Sequence, residues 1–142
     1  MGDKPTVLFV DDEEDYLKTL LKRMRKRGIE VSGAGTGEEA LERLTRHPVD
    51  VVVLDVRMPG MSGIETLRKI KESYPLTEVI MLTGHASLEV AREGMELGAF
   101  DYLMKPVGID ELLYKLEDAQ KKKTIQEAKI DALDAMLTTG RS

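Results

Sequence analysis

The chain alternates short apolar runs with longer amphipathic segments, and this alternation is the strongest constraint on its fold. Residues 6–10 (TVLFV), 51–55 (VVVLD) and 79–83 (VIMLT) are nearly continuous apolar runs. Such runs are typical of strands buried on both faces of a parallel sheet. Residues 29–34 (IEVSGA) and 101–104 (DYLM) are weaker runs of the same kind, so the sequence predicts five short strands.

The segments between and after these runs repeat apolar residues at helical spacing. In the first segment, Leu17, Leu20, Leu21 and Met24 follow the i, i+3, i+4, i+7 pattern of an amphipathic helix. Shorter stripes follow at Ala40, Leu41 and Leu44; at Ile64, Leu67 and Ile70; at Leu88, Ala91 and Met95; and at Leu112, Leu113 and Leu116. Strands that alternate with helices indicate a doubly wound α/β fold, because parallel neighbours need helical crossovers.

Polar residues stand at the carboxyl ends of four predicted strands, which is where sheets of this kind bind ligands. Asp11 and Asp12 follow the first strand, Asp55 ends the third, Thr83 ends the fourth, and Lys105 follows the fifth. If these strands are neighbours, three carboxylates, a hydroxyl and an ammonium meet in one pocket. Two carboxylates ~5 Å apart repel by roughly 3 kcal/mol at an effective dielectric of ~20, so the group needs a cation or a proton.

The ligand types narrow the choice of cation. Carboxylate oxygens without nitrogen or sulfur favour Mg²⁺, Mn²⁺ or Ca²⁺. A metal, a lysine and a hydroxyl together can hold a phosphoryl group. The three acids that follow Asp12, residues 13 to 15, are better placed as first-turn acids of the next helix, where the helix dipole favours negative charge.

Four motifs in order resemble the receiver domain of two-component response regulators, a flavodoxin-like fold of the chemotaxis-regulator type. They are VDD at 10–12, LDVRMPGMSG at 54–63, TG at 83–84 and YLMKP at 102–106. The resemblance covers roughly residues 5 to 120 and rests on the joint spacing, because each motif alone is weak. It implies a five-stranded parallel sheet of order 2-1-3-4-5 with five flanking helices.

The resemblance also implies how the acids are used. Asp55 would accept a phosphoryl group from a phosphohistidine on a sensor histidine kinase or phosphotransfer protein. Asp12 would bind Mg²⁺, or Mn²⁺ in its place, directly, and Asp11 mostly through water. Asp55 and the backbone carbonyl of Arg57 would complete the protein ligands. Such a domain catalyses only its own phosphorylation and dephosphorylation, and it passes the signal to a downstream protein.

A second group of residues would sense the phosphoryl group in such a domain. Thr83 would hydrogen-bond a phosphoryl oxygen, and Lys105 would pair with the phosphate. Tyr102 would swing inward on activation, and the Lys105–Pro106 peptide bond would be cis.

Two alternatives stay open at this point. A haloacid-dehalogenase-type phosphatase also uses a strand-end aspartate as nucleophile, but it needs a second acid two residues later, where this chain has Arg57. A receiver-like interaction module that is not phosphorylated is the other alternative. In that case Asp11 and Asp12 would act as a helix cap with solvated charge.

Composition excludes several further classes. The net charge of −5 gives no support to nucleic-acid binding, and the absence of cysteine rules out disulfides and thiolate metal sites. The longest apolar runs, such as Val51 to Leu54, are far short of a membrane span, and the start MGDKPTVLFV has an acid and a proline where an export signal needs an apolar stretch. We therefore expect a cytoplasmic protein with neither a nucleic-acid nor a membrane partner.

The C-terminal residues extend the last helix. We expect a receiver domain at 1–120 and a helical extension or tail at 121–142. A stripe with alternating spacings of four and three follows this helix: Leu112, Leu116, Ala119, Lys123, Gln126, Ile130, Leu133 and Leu137. This spacing is typical of a coiled-coil seam with a polar middle and favours a homodimer through the C-terminal helix. A solvated tail is the alternative.

Overall fold

The computed structural model describes residues 4–58, 60–84 and 88–139. Within these ranges, strands and helices alternate along the chain as the sequence predicts. In chain order they are β1 (Thr6–Val10), α1 (Glu14–Lys26), β2 (Glu30–Ala34), α2 (Gly37–Arg46), β3 (Val51–Leu54), α3 (Gly63–Ser73), β4 (Glu78–Thr83), α4 (Leu88–Glu96), β5 (Asp101–Met104) and α5 (Ile109–Thr139). No helix in the described ranges has the length and apolar character needed to cross a membrane.

The strands form one parallel sheet of order β2-β1-β3-β4-β5, which confirms the predicted fold class. Val10 pairs with both Ala34 and Leu54, so β1, β2 and β3 end level with one another. Thr83 pairs with Met104, so β4 and β5 also end together. The residues that follow these strands therefore share one edge of the sheet, which we call the carboxyl edge.

Alternate strand residues face two separate hydrophobic layers, because successive side chains of a strand point to opposite faces. One layer packs α1 and α5 against the sheet, and its strand residues include Phe9 and Val53. The other layer packs α2 and α3 against the opposite face, and its strand residues include Leu8 and Met81. Burial on both faces explains why β1, β3 and β4 are so uniformly apolar.

Helix α3 begins very close to the end of β3. The Ser62 side chain accepts a hydrogen bond from the Glu65 backbone amide (3.2 Å) and caps the helix. Gly63 follows, and a Cβ atom at this position would overlap the carbonyl oxygen of Asp55 and the backbone of Val56. The absence of a side chain at Gly63 thus lets α3 pack directly against the segment that carries Asp55.

Helix α5 runs for 31 residues, or about 46 Å at 1.5 Å per residue, and passes through residue 120 without a break. Leu112, Leu116 and Ala119 are buried against the sheet. Lys122 then lies 3.5 Å from the buried carboxylate of Glu78, and Lys123 lies 3.3 Å from Asp50. These acids lie at the amino ends of β4 and β3, on the edge of the sheet opposite the carboxyl edge. The polar middle of the predicted seam is therefore the part of α5 that crosses this opposite edge.

The observed strand boundaries differ from the predicted ones by one residue in three places. β2 begins at Glu30, β3 ends at Leu54 and β4 begins at Glu78. Asp55 therefore lies just beyond β3 rather than at its last position. This placement matters because a carboxylate beyond the strand reaches the carboxyl edge, whereas one within the strand would project into a hydrophobic layer.

Candidate functional site

Backbone hydrogen bonds hold the predicted site residues at the carboxyl edge. The amide of Asp11 donates to the Ala34 carbonyl (3.0 Å), and the amide of Asp55 donates to the Val10 carbonyl (2.9 Å). The amide of Lys105 donates to the Thr83 carbonyl (2.8 Å). Each of the three residues thus extends the hydrogen-bond ladder of the sheet by one residue beyond its strand. This fixes the backbone position from which its side chain projects.

The three predicted carboxylates converge. Asp11, Asp12 and Asp55 each offer an oxygen atom, and these atoms lie within 4.8 Å of one another. Asp11 and Asp55 are both only 5% exposed, whereas Asp12 is exposed. The cluster is therefore fixed on its inner side and open to solvent on its outer side, as a site that takes up an ion or a reactant must be.

Lys105 is the cation that faces this cluster. Its Nζ lies 2.8 Å from Asp11 Oδ2 and 3.8 Å from Asp55 Oδ2. It also lies 3.2 Å from Glu13 Oε1. Burial by itself would lower the pKa of Lys105, but the hydrogen bond and charge of Asp11, followed by Asp55 and Glu13, raise that pKa above its ordinary value. Lys105 is thus a permanent positive charge that offsets part of the negative charge around it.

Lys105 does not fully balance the negative charge around Asp55, and the effect is seen in the pKa of Asp55. Burial and then the charge of Asp11 raise the pKa of Asp55 to about 6, although Lys105 and the Arg57 amide act against the rise. The Arg57 amide donates to Asp55 Oδ1 at 3.3 Å. A carboxyl group with this pKa is mostly ionised at neutral pH. The positive charge around it is nevertheless not enough to hold its pKa at the ordinary value. An additional cation at the site would lower the pKa of Asp55 again.

The donor set matches a hard divalent cation. All the candidate ligands are oxygen atoms, and Mg²⁺ and Mn²⁺ prefer oxygen. Among the described residues, Lys105 is the one ammonium within bonding distance of the three-carboxylate cluster, where it contacts Asp11 and Asp55, so a divalent ion would restore the charge balance. The acidic cluster therefore fits Mg²⁺ on both donor chemistry and charge.

Thr83 and Tyr102 lie on the neighbouring strands β4 and β5. Thr83 is fully buried at the end of β4, and a Cβ atom at the adjacent Gly84 would meet no atom of the described residues within 4 Å. Tyr102 lies in β5 and packs, half-buried, against the hydrophobic layer under α2 and α3. The Lys105–Pro106 peptide bond is cis.

Two contacts of Lys105 were missed in the sequence analysis. Glu13 is the residue before α1 and not a first-turn acid, and its carboxylate reaches across to Lys105. The ring of Tyr16 lies under Lys105, with 4.5 Å between Nζ and the ring centroid. Glu13, just before the helix, and Tyr16, in its first turn, are three residues apart; this spacing places them on one side of the start of α1 and is the signal that could have indicated them.

Comparisons with known proteins identify relatives of the chain. Residues 7–117 match the sequence model of the response regulator receiver domain. The transcriptional regulatory protein ZraR of Escherichia coli O157:H7 is 38% identical over 133 residues, which are 94% of this chain and 30% of ZraR. A CheY-like response regulator receiver domain protein from Methanospirillum hungatei superposes with a TM-score of 0.83 at 31% identity, covering 87% of this chain and 99% of that one.

The curated relatives are much longer than the matched region. The DNA-binding transcriptional regulator NtrC of Klebsiella pneumoniae is 37% identical over 110 residues, which are 78% of this chain but 24% of NtrC. The chain thus spans less than a third of the curated relatives it matches. DNA binding is named for NtrC as a whole, so the expectation of no nucleic-acid partner stays a prediction about these 142 residues.

The raised pKa of Asp55 predicts how stability depends on pH in EDTA. The folded chain binds the Asp55 proton more tightly than the unfolded chain does, so ionising Asp55 destabilises the fold as pH rises from about 4 through about 6. Asp55→Asn should therefore be more stable than the parent at pH 7.5, by about 1–3 kcal/mol, with the difference vanishing towards pH 4. Urea unfolding of both proteins across this range measures the effect.

The control is Asp15→Asn, which removes an exposed carboxylate from the first turn of α1. Because Asp15 lies outside the buried cluster, this substitution should not reproduce the stabilisation that Asp55→Asn gives at pH 7.5. A stability difference for Asp55→Asn that is constant from pH 4 to 7.5 would show that Asp55 has an ordinary pKa.

Proposed function

The chain belongs to the response regulator receiver domain family, and from this premise we propose that Asp55 is its phosphoacceptor. Receiver domains are signalling phosphoacceptors rather than enzymes that turn over an external substrate. The observation that carries the assignment is the position of Asp55. It is buried beyond β3, it carries uncompensated charge, and it lies within 4 Å of the Lys105 ammonium.

The reaction is transfer of a phosphoryl group from a phosphohistidine. An oxygen of the Asp55 carboxylate forms a bond to phosphorus while the P–N bond to the donor imidazole breaks, and the electron pair of that bond stays on the nitrogen. Lys105 stabilises the charge on the transferred group, and Thr83 donates a hydrogen bond to one of its oxygens. Fixed positions of Asp55 and Lys105 favour in-line attack.

Mg²⁺, or Mn²⁺ in its place, would be held by Asp11, Asp12, Asp55 and the backbone carbonyl of Arg57. When bound, the ion supplies positive charge that brings the phosphoryl oxygens and the carboxylate together. Asp12 is the exposed member of the cluster and would bind the ion directly, whereas Asp11, already paired with Lys105, would bind it through water.

The two alternative functions have no support of their own. The position where a haloacid-dehalogenase-type phosphatase needs its general acid carries Arg57, whose backbone amide binds Asp55 and whose side chain is exposed. An interaction module that is never phosphorylated would not need a cluster of three carboxylates beside a nearly buried lysine. Family membership favours neither alternative.

The partners follow from the transfer reaction. The phosphoryl donor is a sensor histidine kinase or a phosphotransfer protein, and the recipient of the signal is another protein.

We assign residues 1–120 to the receiver domain and residues 121–142 to a helical extension. The family supports a cytoplasmic protein, and the net charge of −5 gives no support to nucleic-acid binding by these residues.

We propose that Thr83 and Tyr102 transmit the phosphorylation of Asp55 to the face formed by α4, β5 and α5. A phosphoryl group on Asp55 draws Thr83 towards it, and Tyr102 moves into the space that Thr83 leaves. Helix α4 suits such a rearrangement, because Gly94 is its one buried residue among those described. A Cβ atom at Gly94 would overlap the side chain of Met81, so α4 approaches the sheet closely at this one position while its other described residues are exposed or half-buried.

The extension of α5 exposes apolar side chains that could bind another copy of the chain. Ile130, Leu133 and Leu137 are 42%, 57% and 61% exposed, and all three lie beyond the ion pairs that bind α5 to the domain. Burying such side chains contributes roughly 1.5–3 kcal/mol each, whereas an isolated helix end is only marginally stable in water. We propose that two copies of the chain pair through this part of α5.

The phosphoacceptor is tested by intact-protein mass spectrometry. With Mg²⁺ and acetyl phosphate, the chain should gain one phosphoryl group that is stable in acid and labile in base. Asp55→Asn should lose this labelling, and Asp15→Asn, which changes an exposed acid nearby, should keep it. Labelling of Asp55→Asn or labelling in EDTA would refute the assignment, and turnover of p-nitrophenyl phosphate would favour a phosphatase.

The switch is tested by NMR with beryllofluoride and Mg²⁺. Amide signals should shift from Thr83 through Tyr102 to α4 and α5, because the ligand favours one of two conformations. Tyr102→Ala should bind beryllofluoride as before but transmit smaller shifts to α4 and α5. Changes restricted to residues around Asp55 in the parent chain would contradict the switch.

The dimer is tested by analytical ultracentrifugation of three proteins over a range of concentrations. The parent chain should associate, whereas a variant with glutamine at positions 130, 133 and 137 should stay monomeric, since glutamine keeps helix propensity while removing apolar area. A chain ending at Ala128 should also be monomeric, and it retains the contacts of Lys122 and Lys123 with the domain. A monomeric parent chain, with and without beryllofluoride, would contradict pairing.

A further inference from the structure

We propose that the aromatic ring of Tyr16 is a positioning platform that holds the Lys105 ammonium in place during phosphoryl transfer. Nζ of Lys105 lies 4.5 Å from the ring centroid, well within the distance at which a ring face attracts a cation. The inference rests on the proposed function, because it gives Tyr16 a role in the reaction of Asp55.

The other described contacts of Lys105 are carboxylates. Asp11, Asp55 and Glu13 lie 2.8, 3.8 and 3.2 Å from its Nζ. Two of these carboxylates, Asp55 and Asp11, are also groups that the proposed reaction engages. Asp55 becomes covalently modified, and a divalent cation at the cluster competes with Lys105 for Asp11 and Asp55. The side chain of Glu13 is 66% exposed, so solvent and salt weaken its hold on the lysine.

The attraction of the Tyr16 ring for a cation does not undergo these changes. The ring bears no titrating or coordinating oxygen at its face, and a strongly hydrated divalent ion prefers carboxylates to a π system. The platform therefore keeps the ammonium beside Asp55 while its carboxylate partners are taken by other groups. Because Lys105 is only 13% exposed, the contact is largely shielded from water, and such shielding strengthens cation–π attraction.

The fold fixes the ring in this position. Tyr16 lies in the first turn of α1 and packs, half-buried, against the hydrophobic layer between α1 and the sheet. One side of the ring is therefore supported by apolar contacts. Apolar packing could alone explain an aromatic residue here, so a test must separate apolar volume from the ring itself.

Two substitutions make that separation. Tyr16→Phe keeps the ring and removes the hydroxyl, whereas Tyr16→Leu keeps apolar volume and removes the ring. Phe100→Leu is the matched control, because Phe100 lies 5.9 Å from Lys122 in the second described lysine–ring contact, at the amino end of β5 and away from Asp55. Thermal unfolding of each variant checks that the fold persists.

The first measurement is made on the metal-free chain and does not depend on phosphorylation. The ring current of Tyr16 should move the NMR signals of the Lys105 side-chain methylene protons upfield. This shift should persist in Tyr16→Phe and Phe100→Leu and disappear in Tyr16→Leu. Methylene signals that do not change in Tyr16→Leu would show that the ring does not lie over Lys105 in solution.

The second measurement is the rate of phosphorylation by acetyl phosphate at saturating Mg²⁺. Tyr16→Leu should react roughly tenfold more slowly than the parent, the change that corresponds to a lost cation–π contact of ordinary strength. Tyr16→Phe and Phe100→Leu should react at nearly the parental rate. In a chain that already carries Lys105→Met, adding Tyr16→Leu should have no further effect, because the ring acts through the lysine.

The outcomes are distinct. An unchanged rate in Tyr16→Leu overturns the proposal, as does an equal slowing in the parent and Lys105→Met backgrounds, which would indicate a packing effect. Equal slowing by Tyr16→Phe and Tyr16→Leu would assign the role to the hydroxyl and overturn the platform. If the parent is not labelled, or Asp55→Asn is labelled like the parent, the proposed function fails instead, independently of the NMR result.

Discussion

The structure at the carboxyl edge depends on an excess of negative charge that the protein does not itself neutralise. Asp11, Asp12 and Asp55 converge there, and Lys105 is the one cation within bonding distance among the described residues. The consequence is visible in Asp55, whose pKa is raised to about 6 by burial and by Asp11 despite the lysine. A site that is strained without its ion gains stability when the ion binds, so the same imbalance that costs folding free energy favours metal uptake.

The opposite edge of the sheet, at the amino ends of the strands, differs from the carboxyl edge because its charges are paired. At the amino ends of the strands, Glu78 lies near Lys71 and Lys122, and Asp50 lies near Lys123. Acids and lysines there are roughly matched, so that edge needs no ion, and its contacts fix the path of α5 out of the domain. The layers between the two edges are almost wholly apolar, which keeps them rigid. Charge left unbalanced at one edge can therefore persist without loosening the other.

The strands and the residues at their ends could be predicted from the sequence, because both depend on local pattern: a short apolar run followed by a polar residue. The roles of Glu13 and Tyr16 could not, since they depend on a lysine about ninety residues away that only the assembled sheet brings near them. For the same reason, Lys123 was predicted only as part of the polar middle of a coiled-coil seam. Its partner Asp50 is distant in sequence, and the point where α5 leaves the domain is set by packing rather than by spacing.

Lys105 links the chemistry of the site to the sheet. Its side chain contacts Asp11 and Asp55, while its backbone amide is bound to the carbonyl of Thr83, which joins the segment after β5 to the end of β4. Phosphoryl transfer to Asp55 would replace a single negative charge by a larger one farther from the backbone, and so would draw the ammonium away from Asp11. Because the Lys105 amide is bound to the Thr83 carbonyl, such a shift of the lysine would be passed to the ends of β4 and β5. Under the proposed function, Lys105 would thus both assist the transfer and report it to the surface formed by α4, β5 and α5.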